Sequence, residues 1–279
     1  MFSLFIRSIK FLVGAAFTGV LLWALLWTVV GLVTSPPEKT AEEWVHETHE
    51  LKEVSFASDG PFGRFDPRQI QRGFQVYKEV CSSCHSLSLV AFRDLKQLGY
   101  SDAQVKKIAK DWAAKQPVQD PKAGTWGERD NTPADHIPHV YYPGQGSPPD
   151  LSLVAKARHG GGAYIYSLLT GYEDKQPAEL LKNFPGAKTP DGLFYNPYFA
   201  NLNIAMPEPL KSTGQVTYLD GTVATKDQMA KDVSAFLVWT AEPTMQARHR
   251  YGVAVVLFLL FATILGFGAY RTVWAGVKH

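Results

Sequence analysis

The sequence predicts a mainly α-helical protein, in which a polar domain with long loop insertions and a small β-hairpin is joined to a C-terminal and an N-terminal membrane helix. Three observations predict this class. Two apolar runs, residues 11–33 and 252–270, contain no charged residue. Between them, two segments repeat apolar residues at helical spacing behind helix-capping residues. Residues 115–149 are rich in proline and show little periodicity.

The two apolar runs divide the chain. They contain 23 and 19 residues, and at about 1.5 Å per residue each can cross a hydrocarbon core of about 30 Å as a helix. We therefore expect a transmembrane anchor or signal segment at 1–33, a polar domain at 34–250, and a transmembrane helix with a short tail at 251–279. The first run is long for a signal peptide and lacks a good cleavage site, which favours a retained anchor.

Charge is distributed unevenly along the chain. All 26 acidic residues lie between 34 and 250, whereas Arg7, Lys10, Arg271 and Lys278 leave both ends purely basic. Basic ends beside apolar runs suit a lipid membrane, and nothing in this distribution indicates nucleic-acid binding. The acids between 38 and 53 predict a solvated segment or, alternatively, a docking surface for a basic partner.

One motif in the polar domain specifies a cofactor. Cys81-Ser82-Ser83-Cys84-His85 has the Cys-x-x-Cys-His spacing that holds one covalently attached haem c. The two thiols bond to the porphyrin, and the histidine supplies the proximal nitrogen to iron. The chain has no other cysteine, so it lacks both a disulfide framework and the second cysteine pair expected of a zinc site. A thioredoxin-type redox pair would not require His85.

Covalent haem attachment also predicts the compartment. Haem c is attached outside the cytoplasmic membrane, so residues 34–250 are expected in the periplasm, anchored to the bacterial inner membrane. The C-terminus is then cytoplasmic. The expected fold of the domain is that of a cytochrome c-type haem domain, and its expected role is electron transfer.

A helix is predicted to lead into the motif. Asp66 and Pro67 have the character of an N-cap and a first-turn proline. Over residues 68–80, Ile70, Phe74 and Tyr77 form one apolar stripe.

A second helix is predicted to begin after Thr225, because Thr225 and Gln228 have the form of a capping box. Four residues share its apolar face: Met229, Val233, Phe236 and Leu237. We expect the two helices to cross and pack, with Gly73 permitting their close approach.

Two weaker patterns concern the rest of the domain. Three glycines, Gly160–Gly162, separate predicted helical pieces at 150–159, with Asp150 as N-cap, and at 163–170. Residues 216–223 alternate in polarity around an Asp-Gly pair, which predicts the β-hairpin.

Haem iron in an electron carrier usually has a sixth ligand, commonly methionine or histidine. Met206 is the favoured candidate, because it lies in an apolar loop stiffened by Pro207 and Pro209 and upstream of the last helix of the domain. Met229 is expected in the core, and Met245 lies close to the membrane.

Histidine remains an alternative sixth ligand. The six candidates are His46, His49, His136, His139, His159 and His249. His136 and His139 lie in the proline-rich loop and are expected to face solvent. His159 is the more interesting one, since Arg158 beside it could pair with a haem propionate.

A family resemblance accompanies these residues. The sequence resembles the cytochrome c1 family, the haem-bearing subunits of the cytochrome bc1 complex. It does so through an ordered set of segments spanning about residues 68–271: 72–85 with the haem motif, Pro148-Pro149-Asp150-Leu151-Ser152, 157–161, 166–172, 195–199, 220–222, 230–233 and 241–243. The bare haem motif is shared by every c-type cytochrome, but this ordered set is not.

The resemblance implies roles for individual residues. Met206 would be the sixth ligand, Arg158 and Tyr164 would lie by a propionate, and Pro148 and Pro149 would help to wall the haem. Residues 162–163 depart from the family pattern, in which acidic residues are common there. The N-terminal run, if retained, would add a helix to the usual one.

The resemblance also implies a function. The chain would take an electron from the Rieske iron–sulfur protein and pass it to a c-type cytochrome, while cytochrome b takes part in quinol oxidation within a dimeric complex. The subunit would then be a redox carrier of a quinol–cytochrome c oxidoreductase and not itself a catalyst. The alternatives are a haem c subunit of another membrane oxidase or reductase, and a haem peroxidase.

Overall fold

The computed structural model describes residues 2–36, 38–120, 124–144 and 146–277. The chain divides into two compact units, residues 1–44 and 45–279. Lys278 of the predicted basic tail lies outside the described residues, as do residues 121–123 and 145 of the predicted insertion.

The described part is mainly helical, as predicted, with two short antiparallel strand pairs. The helices are α1 Phe2–Thr34, α2 Ala41–Thr48, α3 Pro67–Val76, α4 Asp102–Lys110, α5 Val154–Ala157, α6 Gly161–Thr170, α7 Ala178–Asn183, α8 Lys226–Ala241 and α9 Met245–Trp274. A π-helical turn, Tyr77–Cys81, continues α3, and 3₁₀ turns occupy Phe92–Leu98 and Pro185–Ala187. The strands are β1 Gln116–Gln119, β2 Trp126–Arg129, β3 Phe194–Tyr195 and β4 Asn203–Ile204.

Two helices are long and apolar enough to cross a membrane. They are the Ser8–Thr34 part of α1, in the first unit, and α9, in the second. Both carry the exposed apolar side chains that a lipid environment accepts. The two predicted spans are therefore confirmed as helices.

The helices α3 and α8 cross as expected, and Gly73 lies at the crossing. A Cβ atom at Gly73 would lie 2.1 Å from the carbonyl oxygen of Asp232 and 2.6 Å from the Cβ atom of Phe236. Only glycine permits this approach. The crossing buries Phe74 and Tyr77 against Phe236, with ring centroids 5.6 and 5.7 Å apart.

An ion pair also links the two helices. The Nε atom of Arg72 donates to the Asp232 carboxylate at 2.8 Å, and Asp232 is fully buried. A second nitrogen of Arg72 donates to Asp220 at 2.8 Å, which fixes the loop that precedes α8.

The predicted caps are present, with one change. Asp66 accepts a hydrogen bond from the backbone nitrogen of Arg68, and Thr225 accepts one from that of Gln228. The Gln228 side chain does not complete the capping box, because it donates to Asp232 instead.

The prediction of a hairpin at 216–223 is wrong, although its turn exists. Gly221 donates to the carbonyl of Tyr218, but residues 216–223 form no strands, and Val216 and Tyr218 are buried in the core as parts of irregular chain. The hairpin lies elsewhere: β1 pairs with β2 from Gln116 opposite Arg129 to Gln119 opposite Trp126, inside the proline-rich insertion.

The prediction of a helix at 150–159 is also wrong in extent. Only Val154–Ala157 is helical, and Asp150 does not cap it. The Asp150 carboxylate instead accepts hydrogen bonds from the backbone nitrogens of Ser88 and Ser152. The next helix, α6, begins at Gly161, two residues before its predicted start.

Candidate haem site

The Cys-x-x-Cys-His segment is held in a compact turn at the end of α3. The backbone nitrogens of Cys84 and His85 both donate to the carbonyl of Cys81, at 3.1 and 2.9 Å. The backbone nitrogen of Ser82 donates to Tyr77 across the π-helical turn. Because α3 is fixed by its crossing with α8, this turn has a fixed position relative to the core.

Two hydrogen bonds orient His85. The buried Tyr77 hydroxyl donates to the backbone carbonyl of His85 at 2.9 Å. The Nδ1 atom of His85 lies 2.8 Å from the carbonyl oxygen of Pro149. A carbonyl oxygen can only accept, so Nδ1 carries the proton and Nε2 keeps a lone pair, as a metal-binding imidazole requires.

The segment that supplies the Pro149 carbonyl is fastened to the chain after the motif. The backbone nitrogen of Leu151 donates to the carbonyl of Ser86, and that of Ser88 donates to Asp150. Although burial opposes ionisation, the hydrogen bonds from Ser152 and Ser88 lower the pKa of Asp150. The sequence predicted that Asp150 caps a helix. Its carboxylate instead accepts hydrogen bonds from Ser88 and Ser152, which hold the segment beside His85 in place.

Burial shifts the pKa values of two side chains of the motif, His85 and Cys81. Burial lowers the pKa of His85, which keeps the imidazole neutral. Burial, with a smaller effect of Cys84, raises the pKa of the Cys81 thiol to about 12. Reactive redox cysteines have lowered pKa values. Among the described residues, no group of three or more His, Cys, Asp or Glu side chains could hold a metal ion.

A cavity of about 480 Å³ opens beside the motif. Most of its surface is apolar, and its volume is in the range of cofactor and ligand sites. The residues predicted as haem contacts all line it: Cys81, Cys84, His85, Pro148, Pro149, Arg158, Tyr164 and Met206.

The Met206 loop approaches the cavity after β4. Its backbone is anchored by the Tyr172 hydroxyl, which donates to the Met206 carbonyl at 3.0 Å. The preceding turn is tight, since Leu202 has a φ of +62° and is nevertheless buried. Pro207 and Pro209 also line the cavity, as expected for a stiffened loop.

The competing methionines lie elsewhere. Met229 is fully buried on α8 and Met245 is buried at the start of α9. Neither is among the residues that line the cavity.

The competing histidines are also placed away from the cavity lining. His46, His49 and His249 lie within hydrogen-bonding distance of backbone carbonyls, of Phe199, Val45 and Gly63 respectively. His136, His139 and His159 are exposed. In the described part of the chain, His85 is the one histidine that lines the cavity.

Sequence reasoning missed part of the wall. Val233 and Leu237 were assigned to the core from their helical spacing, and they also line the cavity. One face of α8 therefore contributes to both the hydrophobic core and the cavity wall. Tyr142 lines it from the insertion, and no periodicity pointed to it.

The residues present fit a haem c group. Two thiols, one imidazole with an available nitrogen, and one thioether converge on a single apolar cavity, and Arg158 adds a cation at its edge. These are the donor types that haem c attachment and iron ligation need.

Comparison with known proteins gives a consistent result. A sequence profile described as the Cytochrome C1 family matches residues 56–277. Cytochrome c1 from Rhodospirillum rubrum is 43% identical over 246 residues, which cover 82% of this chain and 89% of that protein. A Candida albicans protein named cytochrome b-c1 complex catalytic subunit, mitochondrial, is 41% identical over 79% of this chain and 76% of its own length. A Bradyrhizobium diazoefficiens protein named cytochrome b/c1 is 44% identical over 79% of this chain and 35% of its own length.

Proposed function

We propose that this chain is the haem-carrying electron-transfer subunit of a cytochrome b–c1 complex. The premise is that the chain belongs to the cytochrome c1 family. The observation that carries the proposal is the convergence of Cys81, Cys84, His85 and Met206 on one apolar cavity. The relative named as a subunit of a cytochrome b-c1 complex supports the assembly.

The chain would hold one haem through covalent bonds. Cys81 and Cys84 would each hold the porphyrin through one thioether bond. The bound iron supplies a one-electron redox couple. His85 would supply the proximal nitrogen, because the hydrogen bond to the Pro149 carbonyl keeps Nδ1 protonated and leaves Nε2 available.

Met206 would supply the sixth ligand in this proposal. A neutral thioether favours the reduced state and keeps the potential fairly high. The hydrogen bond from Tyr172 to the Met206 backbone limits the movement of this loop. A site closed in this way resists exogenous ligands, which suits an electron carrier better than a peroxidase.

The other cavity residues would orient the group and exclude water. Arg158 and Tyr164 would lie by a propionate, where a guanidinium can offset its charge. Pro148, Pro149, Val233 and Leu237 line the cavity with apolar surface, which would keep water away from the haem.

The domain arrangement follows from where haem c is attached. We assign residues 34–250 to the periplasm, α9 to the inner membrane, and the C-terminus to the cytoplasm. The α1 helix is assigned as a retained anchor, because the Ser8–Thr34 segment is a continuous apolar helix of 27 residues.

The electron path we propose runs from a Rieske iron–sulfur protein through this chain to a c-type cytochrome. Cytochrome b would be the neighbouring membrane subunit, and a relative whose name joins b and c1 supports that pairing. The assembled complex would be dimeric.

Two experiments test the assignment. Affinity purification of the full chain from native membranes, in mild detergent, is expected to recover a Rieske protein and a di-haem cytochrome b, and recovery with a copper or non-haem-iron oxidase subunit instead would overturn it. In the purified complex the reduced c-type haem is expected not to bind carbon monoxide. Ready carbon monoxide binding would refute the closed six-coordinate carrier.

A further inference from the structure

A short loop, residues 57–64, presents an exposed aromatic side chain between two buried ones. Phe56 and Phe65, on either side of the loop, belong to the hydrophobic core. Phe62, near the end of the loop, is 75% exposed. A single exposed apolar side chain is common on a protein surface, so the position of Phe62 relative to α9 decides what this side chain contacts.

The loop is closed by its own backbone. The nitrogen of Arg64 donates to the Ala57 carbonyl at 2.8 Å, and the nitrogen of Gly63 donates to that of Gly60 at 3.2 Å. A Cβ atom at Gly63 would lie 2.2 Å from the Ser58 carbonyl oxygen. The hydrogen bonds and the close approach at Gly63 therefore define a tight conformation in which Phe62 stays on the surface.

The loop is also tied to the first turns of α9. The Nδ1 atom of His249 donates to the Gly63 carbonyl at 3.1 Å, and Gln246 donates to the Phe65 carbonyl at 3.4 Å. The uncharged run of α9 begins at Gly252, three residues after His249, or about 4.5 Å along the helix. The headgroup layer on each side of a bilayer is about 5–8 Å thick, so an α9 that spans the bilayer from Gly252 would place Gly63 at the level of this layer.

We propose that residues 57–64 form a membrane-contacting foot of the haem domain, with Phe62 inserted into the lipid interface beside α9. Aromatic side chains are favoured at this level of a bilayer. The loop carries one acid and one base, Asp59 and Arg64, and the Asp59 carboxylate accepts a hydrogen bond from the Phe56 backbone nitrogen, whereas Arg64 and Arg250 are both exposed. Both arginines suit lipid phosphates, and Arg250 also lies 5.7 Å from the Tyr251 ring.

The consequence for the protein is orientation. A single helix lets a domain rotate and tilt about its anchor, whereas a second contact beside the helix restricts that motion. The foot would therefore limit the orientations of the haem cavity relative to the membrane. This proposal does not depend on the electron-transfer role.

Spin labelling in a bilayer tests the proposal with the full chain and its haem. Cysteine is introduced singly by F62C, by L260C as a reference within the membrane run of α9, and by L219C as a reference on a 95% exposed residue of the haem domain. Each labelled protein is reconstituted into phosphatidylcholine–phosphatidylglycerol nanodiscs. The relaxation of its spin label is then measured with oxygen, which partitions into lipid, and with a water-soluble nickel chelate. The unsubstituted protein is the labelling control.

The ratio of relaxation by oxygen to relaxation by nickel is expected to be at least threefold higher for the F62C label than for the L219C label. It should lie closer to the ratio of the L260C label. An oxygen-to-nickel ratio equal to that of L219C would overturn the proposal. So would protection from both reagents that appears only in the purified complex, since a protein partner would then cover Phe62. The haem spectrum of each variant confirms that the domain is folded.

Discussion

Replacement of Gly73 by alanine should destabilise the haem domain through the crossing of α3 and α8. The new Cβ atom would lie 2.1 Å from the Asp232 carbonyl oxygen and 2.6 Å from the Phe236 Cβ atom, whereas nonbonded heavy atoms usually lie about 3.5 Å apart or more. The two helices would have to separate by about 1.4 Å at this point to restore a contact of about 3.5 Å. Both obstructing atoms belong to backbone or to a Cβ position, so no change of rotamer relieves the overlap.

The magnitude follows from two opposing effects. Overpacking of a core costs about 3 kcal/mol at the upper end of the usual range, and alanine regains about 1 kcal/mol of helix propensity over glycine. The net loss is about 2 kcal/mol in the free energy of unfolding. For a domain of roughly 200 residues this lowers the melting temperature by about 4–8 °C.

Thermal unfolding of the haem-loaded chain, followed by circular dichroism in the Soret region, measures this effect. Gly186 provides a matched control, since a Cβ atom there meets nothing within 4 Å, and G186A should leave the melting temperature within about 1 °C or raise it slightly. A G73A variant that melts with the wild type, or no lower than G186A, would refute the reasoning.

Three further substitutions probe the site and its support. Y172F removes the hydrogen bond to the Met206 carbonyl, which is worth about 1 kcal/mol, so the oxidised protein should bind added imidazole about fivefold more tightly in an optical titration. R72L leaves the buried carboxylate of Asp232 without its cation and should cost about 3 kcal/mol in denaturant unfolding. Hydrogen bonds from Thr222 and Arg72 lower the pKa of Asp220 to about 2; its stabilising effect is present above about pH 4 and is lost as pH falls towards 2, so D220N should make acid unfolding in that window shallower.

Each of these variants has a control. Y195F alters a buried tyrosine whose hydroxyl has no partner in the described part of the chain, and it should leave imidazole affinity unchanged; an equal effect would contradict the argument for Tyr172. The double variant R72L/D232L removes both charges and should be more stable than R72L alone. D191N changes an exposed aspartate and should keep the wild-type acid profile, and a D220N profile identical to it would contradict the pKa argument.

The helices that frame the site were predictable because local chemistry and tertiary packing agree there. Asp66 and Thr225 cap the helices that the apolar stripes indicated, and Gly73 lies at the crossing for which it was singled out. The motif itself fixed Cys81 and His85, because no other local chemistry needs that spacing.

The two wrong predictions, the hairpin at 216–223 and the helix cap at Asp150, share a physical cause. Residues 216–223 alternate as a strand pair would, but Tyr218 is drawn into the core beside Arg72, with the guanidinium 5.8 Å from its ring. Asp150 has the form of a helix cap, yet it bonds to Ser88, 62 residues earlier in the chain. Such long-range contacts override local preference, and a single sequence does not display them.

The hydrogen bonds that support the two proposed ligands, His85 and Met206, could not be predicted from the sequence either. The contact between His85 and the Pro149 carbonyl and the contact between Tyr172 and the Met206 carbonyl both involve backbone acceptors. A backbone carbonyl has no residue type, so composition and spacing could not reveal either partner.

The central claim is that Met206 and His85 would both supply ligands to the haem iron, and the near-infrared sulfur-to-iron absorption of the oxidised protein tests it most directly. The wild type is expected to show this band and M206L to lose it, with a lower reduction potential in a redox titration. M229L is the matched control, because Met229 is fully buried on α8 and a methionine-to-leucine exchange in a core is usually tolerated; it should keep both the band and the potential. An M206L protein that retains the band and the wild-type potential would contradict the account.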